Sequence, residues 1–296
     1  MSVLLAVPNV SEGREGDRLA TLEKAFGRGV SLLDRHTDAD HDRTVFTLAG
    51  GPGPLLEALV AGAEEALETI DMGSYAGAHP AIGALDVCPL VWLDPTDREA
   101  ARTEAVATAA QIGGLGVPVF LYGELARGPG RVERAHFRNG GLAELWLRME
   151  SGELRPDFGP ALPHPRAGAT LITARPPLAA FNVEFDSGDI EVARSVAAGL
   201  RESGGGLSGV RAIGLLLSSG RAQVSTNVHD PLEVPLGTVV ERVRELAAPL
   251  GARPLEAELV GLAPTAALRD YPGDVPMRGF DPARHLIERR LAAATD

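Results

Sequence analysis

The residue best suited to acid–base chemistry is His79, which directly precedes Pro80 in a stretch rich in glycine and alanine. Near pH 7 an imidazole is present in both its neutral and its protonated form, so it can take up and release a proton. Pro80 disfavours helix at His79, and the apolar residues 82–93 predict a buried strand directly afterwards. We therefore expect a loop histidine presented by a rigid strand, the alternative being an ordinary turn residue.

A second informative stretch, residues 155–169, is rich in proline and leaves little room for helix or strand. Its composition is typical of a stiff linker. The functional interpretation is a rigid loop that lines a flat ligand, with Gly159 and Gly168 permitting close approach of the backbone.

The elements that would position these residues follow a repeated order. Strands are predicted at residues 3–7, 30–34, 43–48 and 82–93, with helices at 17–26 and 55–70; a helix ending near 112 and a strand at 118–122 follow. The same order returns with strands at 179–185, 210–217, 222–228 and 254–260 and helices at 189–201 and 235–246. This is the split βαβ pattern of ferredoxin-like domains. The fold class predicted is α+β, with two ferredoxin-like units in tandem, 1–176 and 177–296, and a ligand cleft between them.

The composition narrows the class of protein. A net charge of −12 and a pI near 5.1 argue against a general nucleic-acid or anionic-membrane binder. The single cysteine, Cys88, falls inside a predicted strand and is expected to be a buried, inert thiol. No signal-peptide pattern and no apolar stretch of about 20 residues is visible, so we expect a cytoplasmic protein.

Six collinear blocks of the sequence resemble the formiminotransferase family, which includes stand-alone glutamate formimidoyltransferases and formiminotransferase-cyclodeaminase. The first block is Val-Pro-Asn-Val-Ser-Glu-Gly-Arg at residues 7–14, and the third begins with His79-Pro80. The others lie at residues 40–45, 117–124, 156–160 and 222–227. The resemblance extends over nearly the whole chain.

The resemblance implies transfer of a formimino group between tetrahydrofolate and L-glutamate in histidine breakdown, by a homodimer. A histidine that shuttles the proton needs no metal for this reaction. It implies that His79 is the catalytic acid/base. Ala78 stands where many relatives have glutamate, so Asp86 is the candidate for orienting the ring. The folate-binding residues implied are Gly159, Pro160, Ala161, Leu162, Pro163, His164, Pro165, Arg166, Ala167 and Gly168.

Both substrates of that reaction carry carboxylates, so an acidic protein needs local cations to bind them. Arg14 and Arg43 are the candidates, because guanidinium pairs bidentately with carboxylate; each is equally well interpreted as a solvated surface arginine. Asn9, Asn182 and Asn227 stand next to predicted strand ends and are candidates for hydrogen bonding to substrate, or ordinary turn residues.

Three other interpretations stay open at this point. The transferred group could be formyl, or the protein could bind folate without turnover. The oxygen-rich run Asp38, Asp40, His41 and Asp42 superficially resembles a calcium loop, but Arg43 occupies the position that requires glycine. The remaining histidines His36, His136, His229 and His285 are interpreted as surface or interface residues.

Overall fold

Two units of mixed α and β structure make up the chain, Met1–Arg175 and Pro176–Asp296. The structure is a computed structural model that describes residues 2–77 and 80–295. Each unit has its own β-sheet and its own hydrophobic core. The α+β class expected from the sequence is therefore confirmed.

The first unit contains seven strands and five helices among its described residues, with short 3₁₀ turns between them. In chain order they are β1 (Leu4–Ala6), β2 (Asn9–Val10), α1 (Gly16–Phe26), β3 (Ser31–Asp38), β4 (Arg43–Gly50), α2 (Pro54–Thr69), β5 (Leu85–Trp92), α3 (Arg98–Gly114), β6 (Val119–Leu121), α4 (Ala135–Arg138), α5 (Gly141–Glu150) and β7 (Thr170–Arg175).

Strands β1 and β2 both lie between β4 and β5, so they act as one strand interrupted at Val7 and Pro8. The interruption follows from Pro8, which has no N–H to give to a sheet. Strand β3 continues the sheet beyond β4, and all of these pairs are antiparallel. On the other side of β5, β7 and then β6 are added in parallel.

The two faces of this sheet are covered differently. On one face, helices α1, α2 and α3 pack onto side chains such as Phe46, Leu48 and Leu90. On the other, a smaller cluster joins β5, β6 and β7 to α4 and α5 through Phe120, Phe137 and their neighbours. On the part of this second face formed by β4, Arg43 and Thr47 are polar, since they alternate with Phe46 and Leu48 on the helix side.

Several elements of the first unit differ from the sequence-based prediction. Strand β7 and helices α4 and α5 were not predicted, because the region around them is dominated by glycine, proline and charged residues. Strand β3 was predicted to end at Asp34 but extends to Asp38, which pairs with Arg43. Cross-strand pairing with β4 holds these polar residues in the sheet, so the turn of the hairpin shortens to residues 39–42.

The second unit contains four strands, β8 (Ala179–Phe185), β9 (Val210–Leu216), β10 (Ala222–Val228) and β11 (Pro254–Val260), with helices α6 (Ile190–Leu200), α7 (Leu236–Ala247), α8 (Pro282–His285) and α9 (Ile287–Thr295). The strand order is β11-β8-β10-β9, entirely antiparallel. Helices α6 and α7 enclose the core with alternate strand residues such as Phe181 and Val224. The intervening residues Asn182, Glu184 and Gln223 give the opposite face a polar, buried surface.

Within the described residues, none of the helices combines the length and apolar character that crossing a lipid bilayer requires.

Close packing of α1 against α2 gives a stability prediction at Gly62. An alanine Cβ there would lie 2.1 Å from ring atoms of Phe26, which is fully buried. We expect Gly62→Ala to lower the free energy of unfolding by about 1–3 kcal/mol, although alanine favours helix by about 1 kcal/mol. The control is Gly114→Ala, also helical, where nothing lies within 4 Å. Urea unfolding measures both; equal stability of the two variants would contradict the packing argument.

Candidate functional site

The proline-rich stretch contains a tight turn between His164 and Gly168. Their backbones exchange two hydrogen bonds of 2.8 Å each. The His164 Nδ1 also accepts from the N–H groups of Arg166 (3.3 Å) and Ala167 (3.0 Å). Because Nδ1 is an acceptor, the proton of the neutral imidazole lies on Nε2, which is left as a donor. His164, one of the residues that the resemblance assigns to folate binding, therefore builds the turn and has a fixed tautomer.

Backbone hydrogen bonds join this turn to both ends of the connection between α2 and β5. That connection, residues 70–84, includes His79 in its sequence; Ala78 and His79 lie outside the described residues. The two stretches that the sequence singles out are thus bonded to each other at the described ends of the connection. The bonds run from Met72 N–H to Arg166 O (2.8 Å), from Ala84 N–H to Ala167 O (2.9 Å) and from Ala169 N–H to Ile82 O (2.9 Å).

Glycines make this close approach feasible. Gly168 has a φ of +69°, and a Cβ there would lie 2.1 Å from the Ile82 carbonyl oxygen. A Cβ on Gly83 would lie 1.9 Å from the Ala169 carbonyl oxygen. Both distances are far below van der Waals contact, so a side chain at either position would separate the two backbones. The close approach predicted for Gly168 is thus made to the protein's own backbone.

Residues 157–163, which precede the turn, are held in place at Asp157 and Gly159. Asp157 accepts hydrogen bonds from the Leu121 N–H (2.8 Å) and from Arg131 (2.5 Å). Gly159 has a φ of +81°, and a Cβ there would meet the Val117 carbonyl oxygen at 2.3 Å. Between Gly159 and the turn, the exposed residues are Pro160, Ala161, Leu162, Pro165 and Arg166, whereas Pro163, Ala167 and Gly168 are buried. The exposed set is the part that a ligand in solution can reach.

Asp86 supports the far end of the same connection. Its Oδ1 accepts a 2.8 Å hydrogen bond from the Ile82 N–H, and its Oδ2 forms an ion pair with Arg138. Both side chains are nearly buried, with 7% and 10% of their surface exposed. The carboxylate thus fixes the backbone close to His79 in sequence. Its role in orienting that ring stays a prediction.

Arg43 lies at the start of β4, paired across the hairpin with Asp38. The Asp38 carboxylate accepts from His41 Nδ1 at 2.5 Å and from the His41 N–H at 2.9 Å. Burial opposes ionisation of Asp38, but the two bonds from His41 outweigh it and hold the pKa of that carboxyl well below its usual range. Tyr75 in turn donates to the His41 carbonyl oxygen (3.0 Å), which joins the hairpin turn to the connection.

The other substrate-binding candidates of the first unit form hydrogen bonds or ion pairs within the protein. Arg14 is half-exposed, donates to the Ala39 carbonyl oxygen and forms an ion pair with Asp42 at 3.2 Å. Asn9 donates to the Val7 carbonyl oxygen at 2.8 Å. Asp42 also accepts from the Gly13 N–H (3.1 Å). Of the run compared with a calcium loop, the carboxylates of Asp38 and Asp42 are therefore used to hold the hairpin turn.

Asn182 and Asn227 belong to the second unit and lie on the polar face of its sheet. Asn182 is buried and donates to Glu258 at 3.3 Å; Asn227 is partly exposed. Neighbouring Glu184 has ion pairs with Arg221 and Arg278. This face therefore offers amide and carboxylate groups.

Sequence reasoning missed Arg138, which forms an ion pair with Asp86, and Arg134, four residues before it. Each of these arginines contributes to the electrostatic environment of Arg43. A signal was present, because Arg131, Arg134 and Arg138 follow one another at intervals of three and four residues, which places them on one side of a helical turn. No helix was predicted there, so the spacing was not used.

The chain matches two family descriptions along its length. Residues 3–175 match "Formiminotransferase domain, N-terminal subdomain", and residues 180–272 match "Formiminotransferase domain". The chain is 35% identical over 303 residues to the glutamate formimidoyltransferase of Thermoplasma acidophilum, covering 100% of this chain and 99% of that protein. It is 35% identical over 295 residues to the glutamate formimidoyltransferase of Streptococcus pyogenes serotype M1, covering 98% of each. The formimidoyltransferase-cyclodeaminase of Sus scrofa is 38% identical over 278 residues, which are 89% of this chain and 50% of that protein.

The contact between the turn and the connection gives a prediction at Gly168. We expect Gly168→Ala to destabilise the protein by about 1–3 kcal/mol more than Gly116→Ala, because only the former drives a Cβ into a backbone oxygen. Gly116 also has a positive φ, of 89°, but nothing lies within 4 Å of its added Cβ. Urea unfolding gives the free energies, and amide hydrogen exchange at Ala84 reports the local bond. Identical losses would mean that backbone strain alone accounts for the effect.

Proposed function

The chain belongs to the formiminotransferase family, and from this membership we propose that it moves a formimino group between tetrahydrofolate and L-glutamate in histidine degradation. The relatives that match over their whole length are named glutamate formimidoyltransferase. One structural observation carries the proposal furthest: the turn at 164–168 is hydrogen-bonded to Met72 and Ala84, on either side of His79 in the sequence.

The chemistry assigned to His79 is a proton transfer in two directions. The glutamate amine attacks the amidine carbon and must lose a proton. The nitrogen of tetrahydrofolate then leaves and must gain one. An imidazole with a pKa near neutrality accepts the first proton and delivers it to the second nitrogen. The proton taken from the attacking amine is therefore delivered to the leaving nitrogen, and no covalent enzyme intermediate is needed.

Holding two substrates side by side supplies a large part of the rate. We assign folate to residues 159–168, where Pro160, Ala161 and Leu162 present exposed apolar surface to a flat ring. The His164 Nε2, which carries the proton because Nδ1 is an acceptor, is the polar group of this segment best suited to bond a ring acceptor. Hydrogen bonds join this segment to Met72, Ile82 and Ala84, which lie on either side of His79 in the sequence.

We further propose that both units are ferredoxin-like and correspond to subdomains 1–176 and 177–296. The strand order β11-β8-β10-β9 with two helices on one face supports this for the second unit. In the first unit the order β3-β4-β1-β5 supports it, with β7 and β6 as additions. A cytoplasmic homodimer without a metal completes the proposal, and these three properties stay predictions.

Formyl transfer is the competing reaction, with the same acceptor and the same proton requirements. Assays with 5-formiminotetrahydrofolate and 5-formyltetrahydrofolate as donors to glutamate separate the two. The proposal requires turnover with the formimino donor. Turnover with the formyl donor alone would replace it, and folate binding without either reaction would identify a non-catalytic binding protein.

We expect His79→Ala to lower kcat by about 10²–10⁴-fold, because a general acid/base typically contributes that much. Folate affinity, measured by calorimetry, should stay near that of the unaltered protein, since the substitution leaves residues 159–168 intact. The matched control is His229→Ala, at an exposed histidine of the second unit. If His79→Ala and His229→Ala turn over equally fast, His79 has no part in the chemistry.

A further inference from the structure

Strand β9 forms one edge of the second sheet. The strand order β11-β8-β10-β9 leaves it paired with β10 on one side only. Just beyond β9, the Leu217 N–H donates to the Arg221 carbonyl oxygen at 2.9 Å, so the odd-numbered residues of the strand direct their backbone groups toward β10. The N–H and C=O groups of Ala212, Gly214 and Leu216 therefore point away from the sheet. Within the part of the chain that the structure describes, they have no backbone partner on that side.

The side chains of β9 are unusually apolar for a strand at an edge. The sequence is Val-Arg-Ala-Ile-Gly-Leu-Leu, and the charge of its one ionisable residue, Arg211, is paired with Glu202 at 2.6 Å. Ile213 and Leu216 are nevertheless 39% and 47% exposed. An exposed apolar strand with unpaired backbone groups is a template for a further strand.

The other sheet edges of the described residues are protected. On β11, the Ala257 N–H donates to the Pro276 carbonyl oxygen (2.9 Å) and the Arg278 N–H donates to the Ala257 carbonyl oxygen (2.8 Å). Strand β3 has a bulge and several charged side chains. Strand β6 is short, and the Val119 N–H on its outer side donates to the Phe158 carbonyl oxygen (2.9 Å). Strand β9 has neither a bulge nor a covering segment of this kind.

A second copy of the chain can supply the missing strand. The strands of the described residues all have places in the two sheets, so none of them is left to extend β9. Antiparallel pairing of β9 with another β9 is self-complementary about a two-fold axis. The register that engages all three outward residues pairs Gly214 with the partner's Gly214, and Ala212 with the partner's Leu216.

This register also matches the side chains. Ile213 lies opposite the partner's Leu215 on one face of the joined sheet, and Leu216 lies opposite the partner's Ala212 on the other. Each exposed apolar side chain of β9 thus meets another apolar side chain. No like charges lie opposite each other.

The charges of α6 beside this edge are complementary as well. Glu191 and Arg194 form an exposed ion pair at 2.6 Å. They lie next to the proposed axis, because a Cβ on Gly214 would be 2.5 Å from the backbone nitrogen of Arg194. The axis sets the α6 helices of two copies side by side in opposite directions, so Glu191 of each copy comes beside Arg194 of the other.

We propose that two copies of the chain associate through β9, which joins their two four-stranded sheets into one antiparallel sheet about a two-fold axis at Gly214. The inference rests on the homodimer of the proposed function and names the surface that forms it. It does not depend on which group the protein transfers.

The first test measures the dissociation constant of the full-length dimer by analytical ultracentrifugation. We expect Leu216→Lys to raise it by about 100-fold or more, because a lysine at an edge strand opposes pairing with another strand. Leu147→Lys and Leu232→Lys introduce the same charge at side chains that are 59% and 53% exposed in α5 and in the second unit, and should leave it unchanged. Melting temperatures establish that all three variants are folded. A monomeric unaltered protein would overturn the dimer and its surface; a dimer equally stable in Leu216→Lys and Leu147→Lys would overturn the surface alone.

The second test measures the register by disulfide formation. Residues opposite each other in a non-hydrogen-bonded antiparallel pair have Cα atoms about 4.5 Å apart, within the range for a disulfide. Ile213→Cys mixed with Leu215→Cys should therefore cross-link two copies on oxidation, and each variant alone should do so much less. The native Cys88 is buried and does not compete.

Leu147→Cys mixed with Leu215→Cys is the control for random collision. Cross-linking of Ile213→Cys and Leu215→Cys no greater than this control would overturn the pairing of β9 strands. Transfer activity is assayed on the unaltered protein separately. A dimer that cross-links through β9 but transfers no group would refute the proposed reaction and leave the surface standing.

Discussion

Three backbone hydrogen bonds hold the turn at 164–168 against Met72, Ile82 and Ala84. They depend on glycine at position 168, because any side chain there would fill the space that the carbonyl of Ile82 occupies. Backbone bonds of this kind fix geometry more firmly than side-chain contacts do, since neither partner can rotate away. The connection that includes His79 is thereby fastened at both described ends. Its position depends on a segment almost a hundred residues away in the chain.

The charged side chains around this junction differ in whether a partner of opposite charge is bonded to them. Asp86 and Asp157 each accept a hydrogen bond from a backbone N–H and form an ion pair with an arginine. They stabilise the fold, and their negative charges are compensated by those arginines. Arg43 differs, because its Nε is buried without a hydrogen-bond partner among the described residues. Burying a charged group without a partner costs free energy, and the low local dielectric constant strengthens the attraction of that group to an anion.

Much of the fold was predictable from hydrophobic patterning. Strands β8 and β11 agree with their predicted bounds, because alternating core residues such as Phe181 and Val183 leave one choice of register. Strand β7 was not predicted, since its neighbours in space, β5 and β6, are remote in sequence. For the site, spacing and resemblance led to His79 and residues 159–168. They did not reveal the ion pair of Arg138 with Asp86, because these two residues are 52 positions apart in the sequence and only the fold brings them together.

The segment from Gly159 to Gly168 has two kinds of position. Gly159 and Gly168 are confined by carbonyl oxygens, whereas Pro160, Ala161 and Leu162 are exposed between them. Randomised libraries that keep both glycines and vary the three residues between them should therefore retain folded protein in most members. Under the proposed assignment of folate to this segment, its ligand contacts can be varied separately from stability, which makes it a suitable starting point for redesign.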